Sequence, residues 1–199
     1  MLFRSVWDIG KKKKIATFYH KGLVLRVAIS SNGNYVASSD MDEEFVKIWD
    51  VKTGKEVYSF KHNGEIFGLD FSADDKMLAS ASISGNDYHQ YIWIIENCKL
   101  IKEFPLSENS TEIKIAKDCK TLLVGSSNGI PVLWDINSAE PIQYFTGKNN
   151  IIVDACFIPK TDSFFVVDKN KKEIKFWTLK QLRRIEDRKS TRLYSSHCK

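Results

Sequence analysis

Four histidines, four cysteines and 25 carboxylates are the side chains here with chemistry to offer. Histidine near serine and aspartate would suit hydrolysis, because an imidazole can take a hydroxyl proton near neutral pH. His20 and His62 do not read that way. They recur in matching contexts, FYHKG and FKHNG, and a residue that recurs with its surroundings belongs to a repeat. His89 lies in SISGNDYHQ, read here as a long turn. An exposed ring there, beside Tyr88, is either a partner contact or a solvated loop residue. No nucleophile-elbow GxSxG motif is expected in the chain, and no glycine-rich phosphate loop stands out. The expectation is a protein without catalytic residues, cofactor or metal.

Cys98, Cys119, Cys156 and Cys198 form no CxxC pair, which removes the usual zinc and redox spacings. Reduced thiols in the cytoplasm or nucleus are the expected state. No stretch approaches the roughly 18 apolar residues of a membrane span, and nothing near Met1 resembles a secretory leader. The net charge of +5 is unevenly placed, since Arg188, Lys189, Arg192 and Lys199 supply four charges in the last twelve residues. The remaining body is nearly balanced and gives little reason to expect a phosphate backbone as partner. Lys11–Lys14 and 169–175 (KNKKEIK) are basic turns expected at opposite ends of the strands, so they do not form one groove.

The tryptophans give the organisation. Trp7, Trp49, Trp93, Trp134 and Trp177 are spaced 42, 44, 41 and 43 apart, each in a β-like context such as VKIWDV or PVLWDI. Apolar runs between them read as strands, bounded by turn clusters such as Ser31-Asn32-Gly33-Asn34 and Lys52-Thr53-Gly54-Lys55. LVLRVAIS, IFGLDFS and IIVDACFI read as first strands, and YVASS, MLASAS, TLLVGSS and SFFVV as second strands. The tryptophan segments are third strands, and EVYSF, KLIKEF and PIQYF are fourth strands. Four short strands in each period of about 40–45 residues is the pattern of a propeller blade.

On these residues the chain resembles the WD40-repeat family over about residues 1 to 185, with Asp after three of the five tryptophans and histidine ahead of two first strands. The resemblance implies an all-β propeller segment of four complete four-stranded antiparallel blades plus a partial N-terminal blade. The expected divisions are 1–19 for the partial blade, then 20–60, 61–104, 105–145 and 146–187. Residues 188–199 are an off-pattern basic tail, either appended sequence or a genuine disordered end. It also implies a hydrogen-bonded chain from a histidine through a second-strand hydroxyl and a turn aspartate to the tryptophan. By resemblance these are His20, Ser39, Asp42 and Trp49, then His62, Ser82, Asp87 and Trp93. The third repeat keeps Ser126, Asn128 and Trp134, and the fourth only Trp177.

The implied role is a non-catalytic scaffold that docks protein or peptide partners, with a nucleic-acid-associated scaffold as the alternative and no membrane partner. Met41, Glu43 and Glu44 of one turn and Tyr88 and His89 of the next are expected on a common rim. There they either recognise a basic peptide or are merely variable loops. Because the chain opens inside a repeat, it is expected to be a fragment that joins further blades or self-associates through uncovered faces.

Overall fold

The computed structural model describes residues 2–85, 87–95, 99–106, 110–126, 131–144, 152–158, 161, 163–168 and 172–178. Among these there are seventeen strands and no helix. β1 (Leu2–Asp8) and β2 (Lys13–His20) form a two-stranded first sheet. β3 (Val24–Ile29), β4 (Tyr35–Asp40), β5 (Phe45–Asp50) and β6 (Glu56–Lys61) form the second. β7 (Glu65–Phe71), β8 (Met77–Ser84), β9 (Asp87–Ile94) and β10 (Lys99–Leu106) form the third. β11 (Ser110–Ile115), β12 (Thr121–Ser126), β13 (Val132–Asp135) and β14 (Pro141–Tyr144) form the fourth. β15 (Ile152–Phe157), β16 (Ser163–Asp168) and β17 (Glu173–Thr178) form the fifth. Each sheet is an antiparallel meander in sequence order. The fourth strand expected in the last repeat, and the tail 188–199, lie outside the described residues.

The sheets stack face to face, with inner strands β3, β7, β11 and β15 as successive neighbours. An interior sheet therefore buries both faces, and adjacent residues on a strand enter different layers. Val36 and Trp49 pack with Phe18 between the first and second sheets, whereas Ala37 and Ile48 pack with Leu69 and Trp93 between the second and third. Ala79 and Ile92 then join Ile113 and Trp134, and Leu123 and Leu133 join Ala155 and Phe164. This accounts for the nearly continuous apolar runs in the sequence, since no face is left for an alternating polar row.

Trp49, Trp93 and Trp134 each face the preceding sheet, where an outer-strand phenylalanine meets them. The ring centroids are 5.3 Å apart for Phe18–Trp49, 4.8 Å for Phe60–Trp93 and 5.8 Å for Phe104–Trp134. Gly68 leaves room for the fourth sheet, since a Cβ there would lie 2.7 Å from Ile113 Cγ2. Turns also interlock. Asp75, at φ 57° in the β7–β8 turn, accepts Ser31 N–H at 2.6 Å and Asn32 N–H at 3.0 Å from the β3–β4 turn.

Two readings of the sequence change. SISGNDYHQ is not a long loop. β8 and β9 run to the pair Ser84–Asp87, leaving a two-residue turn that begins at Gly85 with φ 62°. Its Ser, Asn, Asp and His look like loop composition, yet Ile83, Tyr88 and Tyr91 continue the ladder. The first strand of the third repeat is β11, missed because Glu112 and Lys114 break its apolar run. Those two side chains neutralise each other at 2.7 Å, which makes their half-burial tolerable.

Candidate functional site

The histidines are built into donor chains. Trp49 Nε1–H donates to Ser38 Oγ at 2.7 Å, the Ser38 hydroxyl reaches His20 Nε2 at 2.7 Å, and His20 Nδ1–H reaches Asp40 Oδ2 at 3.0 Å. One tautomer of His20 satisfies all three bonds. Asp40 Oδ1 accepts the backbone N–H groups of Asp42 at 3.1 Å and Glu43 at 2.7 Å. Burial works to raise the Asp40 carboxyl, but the Glu43 amide and His20 outweigh it and hold the pKa below its usual value. In the third sheet Trp93 Nε1–H donates to Ser80 Oγ at 2.9 Å, and Ser80 meets His62 Nε2 at 2.6 Å. Here His62 Nδ1–H ends on the Phe60 carbonyl at 3.1 Å. Burial drives the His62 pKa down to about 4, so the ring is neutral.

The hydroxyls expected in these chains are therefore displaced by one pleat position or one full pleat. Ser38 replaces Ser39, whose Oγ instead faces the Ile66 carbonyl of the next sheet at 3.5 Å. Asp40 replaces Asp42, whose carboxylate lies so close over Gly22 that a Cβ there would collide with it. Ser80 replaces Ser82, and Asp87 opens β9 opposite Ser84 with its side chain exposed. Ser82 instead holds the place that Asp40 holds in the second sheet, two residues beyond the central serine. In the fourth sheet that central place is Val124, two residues beyond the partner of Trp134, and Ser126 lies two further on. Trp134 Nε1 is consequently buried with no hydrogen-bond partner among the described residues. Asn128 lies outside the described residues. Gly125-Ser126-Ser127-Asn128-Gly129 does match the GxSxG spacing, which corrects the expectation that the motif is absent. Its setting is wrong for an elbow, because β12 ends at Ser126 and pairs with the next described strand, β13, not a helix.

His20, Asp40 and Glu43 place ligand-type atoms within 4.8 Å of one another. Both His20 nitrogens are nevertheless committed, and the Glu43 carboxylate is taken up by two lysines. Glu43 pairs with Lys47 and, at 3.2 Å, with Lys21. The Lys47 hydrogen bond is the main reason its pKa is lowered. These side chains border an open hollow of about 650 Å³ lined by Lys21, Glu43, Glu44, Phe45, Lys47 and Lys61 among others. Met41 and Phe45 are exposed at this end of the second sheet. Of the expected rim, Glu43 and Glu44 thus line one hollow. His89 does not join them. It sits on β9, half-buried and stacked on Tyr91, with Nδ1 2.8 Å from Glu103 Oε1. Tyr88 is on the same strand, and its side chain lies outside the described set.

A polar site between sheets was not anticipated. Asp70 on β7 accepts the Ile115 N–H of β11 at 2.7 Å, and Lys114 Nζ lies 4.0 Å from its other oxygen. Burial raises the Asp70 pKa to about 6 despite that lysine. The signal in the sequence is a single aspartate inside the apolar run IFGLDFS.

A family model described as WD domain, G-beta repeat, matches residues 12–50 and 54–87. These two stretches are WD40 repeats. No curated protein matches it. The first matched stretch runs from the outer strand β2 through β5, and the second from the approach to β6 into the start of β9. Each matched stretch is thus offset by one strand from the sheet; the first ties the outer strand β2 to three strands of the next sheet, and the second ties β6 to β7 and β8. WD40 repeats generally mediate protein–protein contact, and such domains are typically non-catalytic.

Proposed function

We propose that this WD40-repeat protein is a non-catalytic docking module, and that the hollow at the β4–β5 turn of the second sheet receives a peptide. The observation that carries the reading is the composition of that hollow. An exposed Phe45 ring sits among lysines and carboxylates already fixed by mutual pairing. Pre-paired charges cost little further ordering when a ligand arrives, and an aromatic at their centre offers an anchor. Glu43 is already paired with two lysines, so the surface suits a peptide of mixed charge with an apolar residue better than a purely basic one. His20 and His62 are buried with both ring nitrogens bonded, which fits a structural role for them.

Peptides selected from a displayed random library on the full chain test the reading. Phe45→Asp should weaken the selected peptides by about tenfold or more, as expected when a central aromatic anchor is lost. Selected peptides that bind the variant as tightly as the parent would remove this hollow from consideration.

A further inference from the structure

The chain holds three Asn-Gly pairs, Asn32-Gly33, Asn63-Gly64 and Asn128-Gly129. The last lies outside the described residues. A glycine after asparagine leaves the next backbone nitrogen unshielded by a Cβ, so that nitrogen can reach the asparagine side-chain amide. What already holds the two groups decides whether they meet. At Asn32 both are held. Gly33 N–H donates to the Ser30 carbonyl at 2.9 Å. Asn32 Oδ1 accepts the Ser30 hydroxyl at 2.9 Å and Asn34 N–H at 2.8 Å, and Asn32 N–H donates to Asp75 at 3.0 Å. Ring closure there needs the β3–β4 turn to open first, with loss of its own bonds and of the clasp from the third sheet.

Asn63-Gly64 links β6 to β7 without these restraints. Asn63 is exposed. Neither its side-chain amide nor Gly64 N–H has a hydrogen-bond partner among the described residues. The backbone on either side is fixed. His62 N–H donates to the Glu44 carbonyl at 2.8 Å, and Gly64, at φ 89°, lies so close to Ile83 that a Cβ would collide with its carbonyl. Glycine is therefore required at 64, and no bulkier residue can shield the asparagine. The matching link before β3 reads His20-Lys21-Gly22, so the link itself does not require asparagine.

We propose that Asn63 is a site of spontaneous deamidation, with Asn32 protected by its turn. Hydroxide takes the Gly64 amide proton, and the nitrogen attacks Asn63 Cγ. The N–Cγ bond forms and the Cγ–Nδ2 bond breaks. Nδ2 leaves as ammonia with a proton from water, which regenerates the hydroxide. Water then opens the succinimide ring at either carbonyl, giving aspartate or isoaspartate. Either product adds a negative charge to the link. Isoaspartate also adds a methylene to the backbone just before Gly64, where the Ile83 contact leaves no slack, so it disturbs the start of β7. The link touches the β4–β5 turn through Glu44, but the proposal stands whatever the hollow at Phe45 binds.

The test incubates the full chain at neutral pH and physiological temperature, folded and in denaturant. Digestion and mass spectrometry follow both asparagines, and chromatography separates isoaspartate from aspartate. Folding should slow the reaction at Asn32 by about tenfold or more and leave that at Asn63 nearly unchanged. Isoaspartate should be among the products at Asn63, at a rate that rises with pH. Asn63→Lys, which borrows the residue type of Lys21, should abolish that product and leave Asn32 as it was. Equal slowing at the two asparagines overturns the proposal. Aspartate without isoaspartate at Asn63 would mean direct hydrolysis, with no attack by Gly64, and overturns it as well.

Discussion

Ser38 and Ser80 each serve a tryptophan and a histidine at once, so each is worth more than an ordinary buried hydroxyl. Replacing Ser38 with Ala strands the Trp49 N–H and His20 Nε2 together. The expected cost is about 2–3 kcal/mol by urea unfolding, while Ser39→Ala should cost well under about 1 kcal/mol. Equal costs would mean that the donor chain contributes nothing to stability. The opposed titrations of His62 and Asp70 give a second residue-level expectation. His62 falls to about 4 in the fold, so its contribution is complete above its unfolded value of 6.5 and declines as pH drops toward 4. Asp70 rises to about 6, so the fold binds its proton more readily than the unfolded chain and gains stability as pH falls through 6 toward 3.8. Between pH 7 and 5 the two oppose each other. Asp70→Asn should therefore lose on the order of 1–2 kcal/mol more than the parent on going from pH 7 to 5, and His62→Ala should lose less. The tryptophans were legible in the sequence because nothing else recurs so regularly. Their serine partners were misplaced because register, not distance along the chain, decides which hydroxyl faces the ring.

At the scale of the strand, Val124 on β12 marks where the donor chain was given up. It occupies the place of Ser38 and Ser80, no histidine precedes the sheet, and Trp134 Nε1 is left buried without a partner. Threonine has nearly the shape of valine and adds an acceptor. Ordinarily Val→Thr in a core is unfavourable, because the hydroxyl must be desolvated. Here a waiting N–H should offset that cost, so Val124→Thr is expected to be neutral or to stabilise by up to about 1 kcal/mol. The same change at Val166, or a loss of more than about 1 kcal/mol at 124, serves as the contrast in a thermal melt. The position of β11 was hidden for a related reason. Its polar residues pair with one another and with Asp70 across two sheets, and no local pattern announces a partner 45 residues away. The β8–β9 turn was hidden by composition, since Ser, Asn, Asp and His suggest a loop wherever they cluster.

At the scale of the whole molecule, the first and last described sheets differ in kind. Among the described residues β1 is bonded along one edge only, whereas the fifth sheet leaves apolar side chains exposed on one face. Phe165 and Phe176 touch at 6.1 Å on the side away from the fourth sheet, and Ile174 and Phe176 are exposed. Exposed apolar surface of this kind favours association. The full chain is expected to run larger than 22.9 kDa in size-exclusion chromatography with light scattering at micromolar concentration. Phe176→Lys should move it toward the monomer, and a parent already monomeric would refute the expectation. Stacking of sheets was legible from the 41–44-residue period, but the inequality of the ends was not, because exposure depends on neighbours that a repeat count does not locate. The clasp at Asp75 has a temporal consequence. Its carboxylate secures amides that precede it by 43 and 44 residues, so the β3–β4 turn, already closed by its own bonds, is tied down further only once the β7–β8 turn has been made. During synthesis each new sheet would lock the one before it, and the molecule would set from its N-terminus onward like teeth closing on a zip.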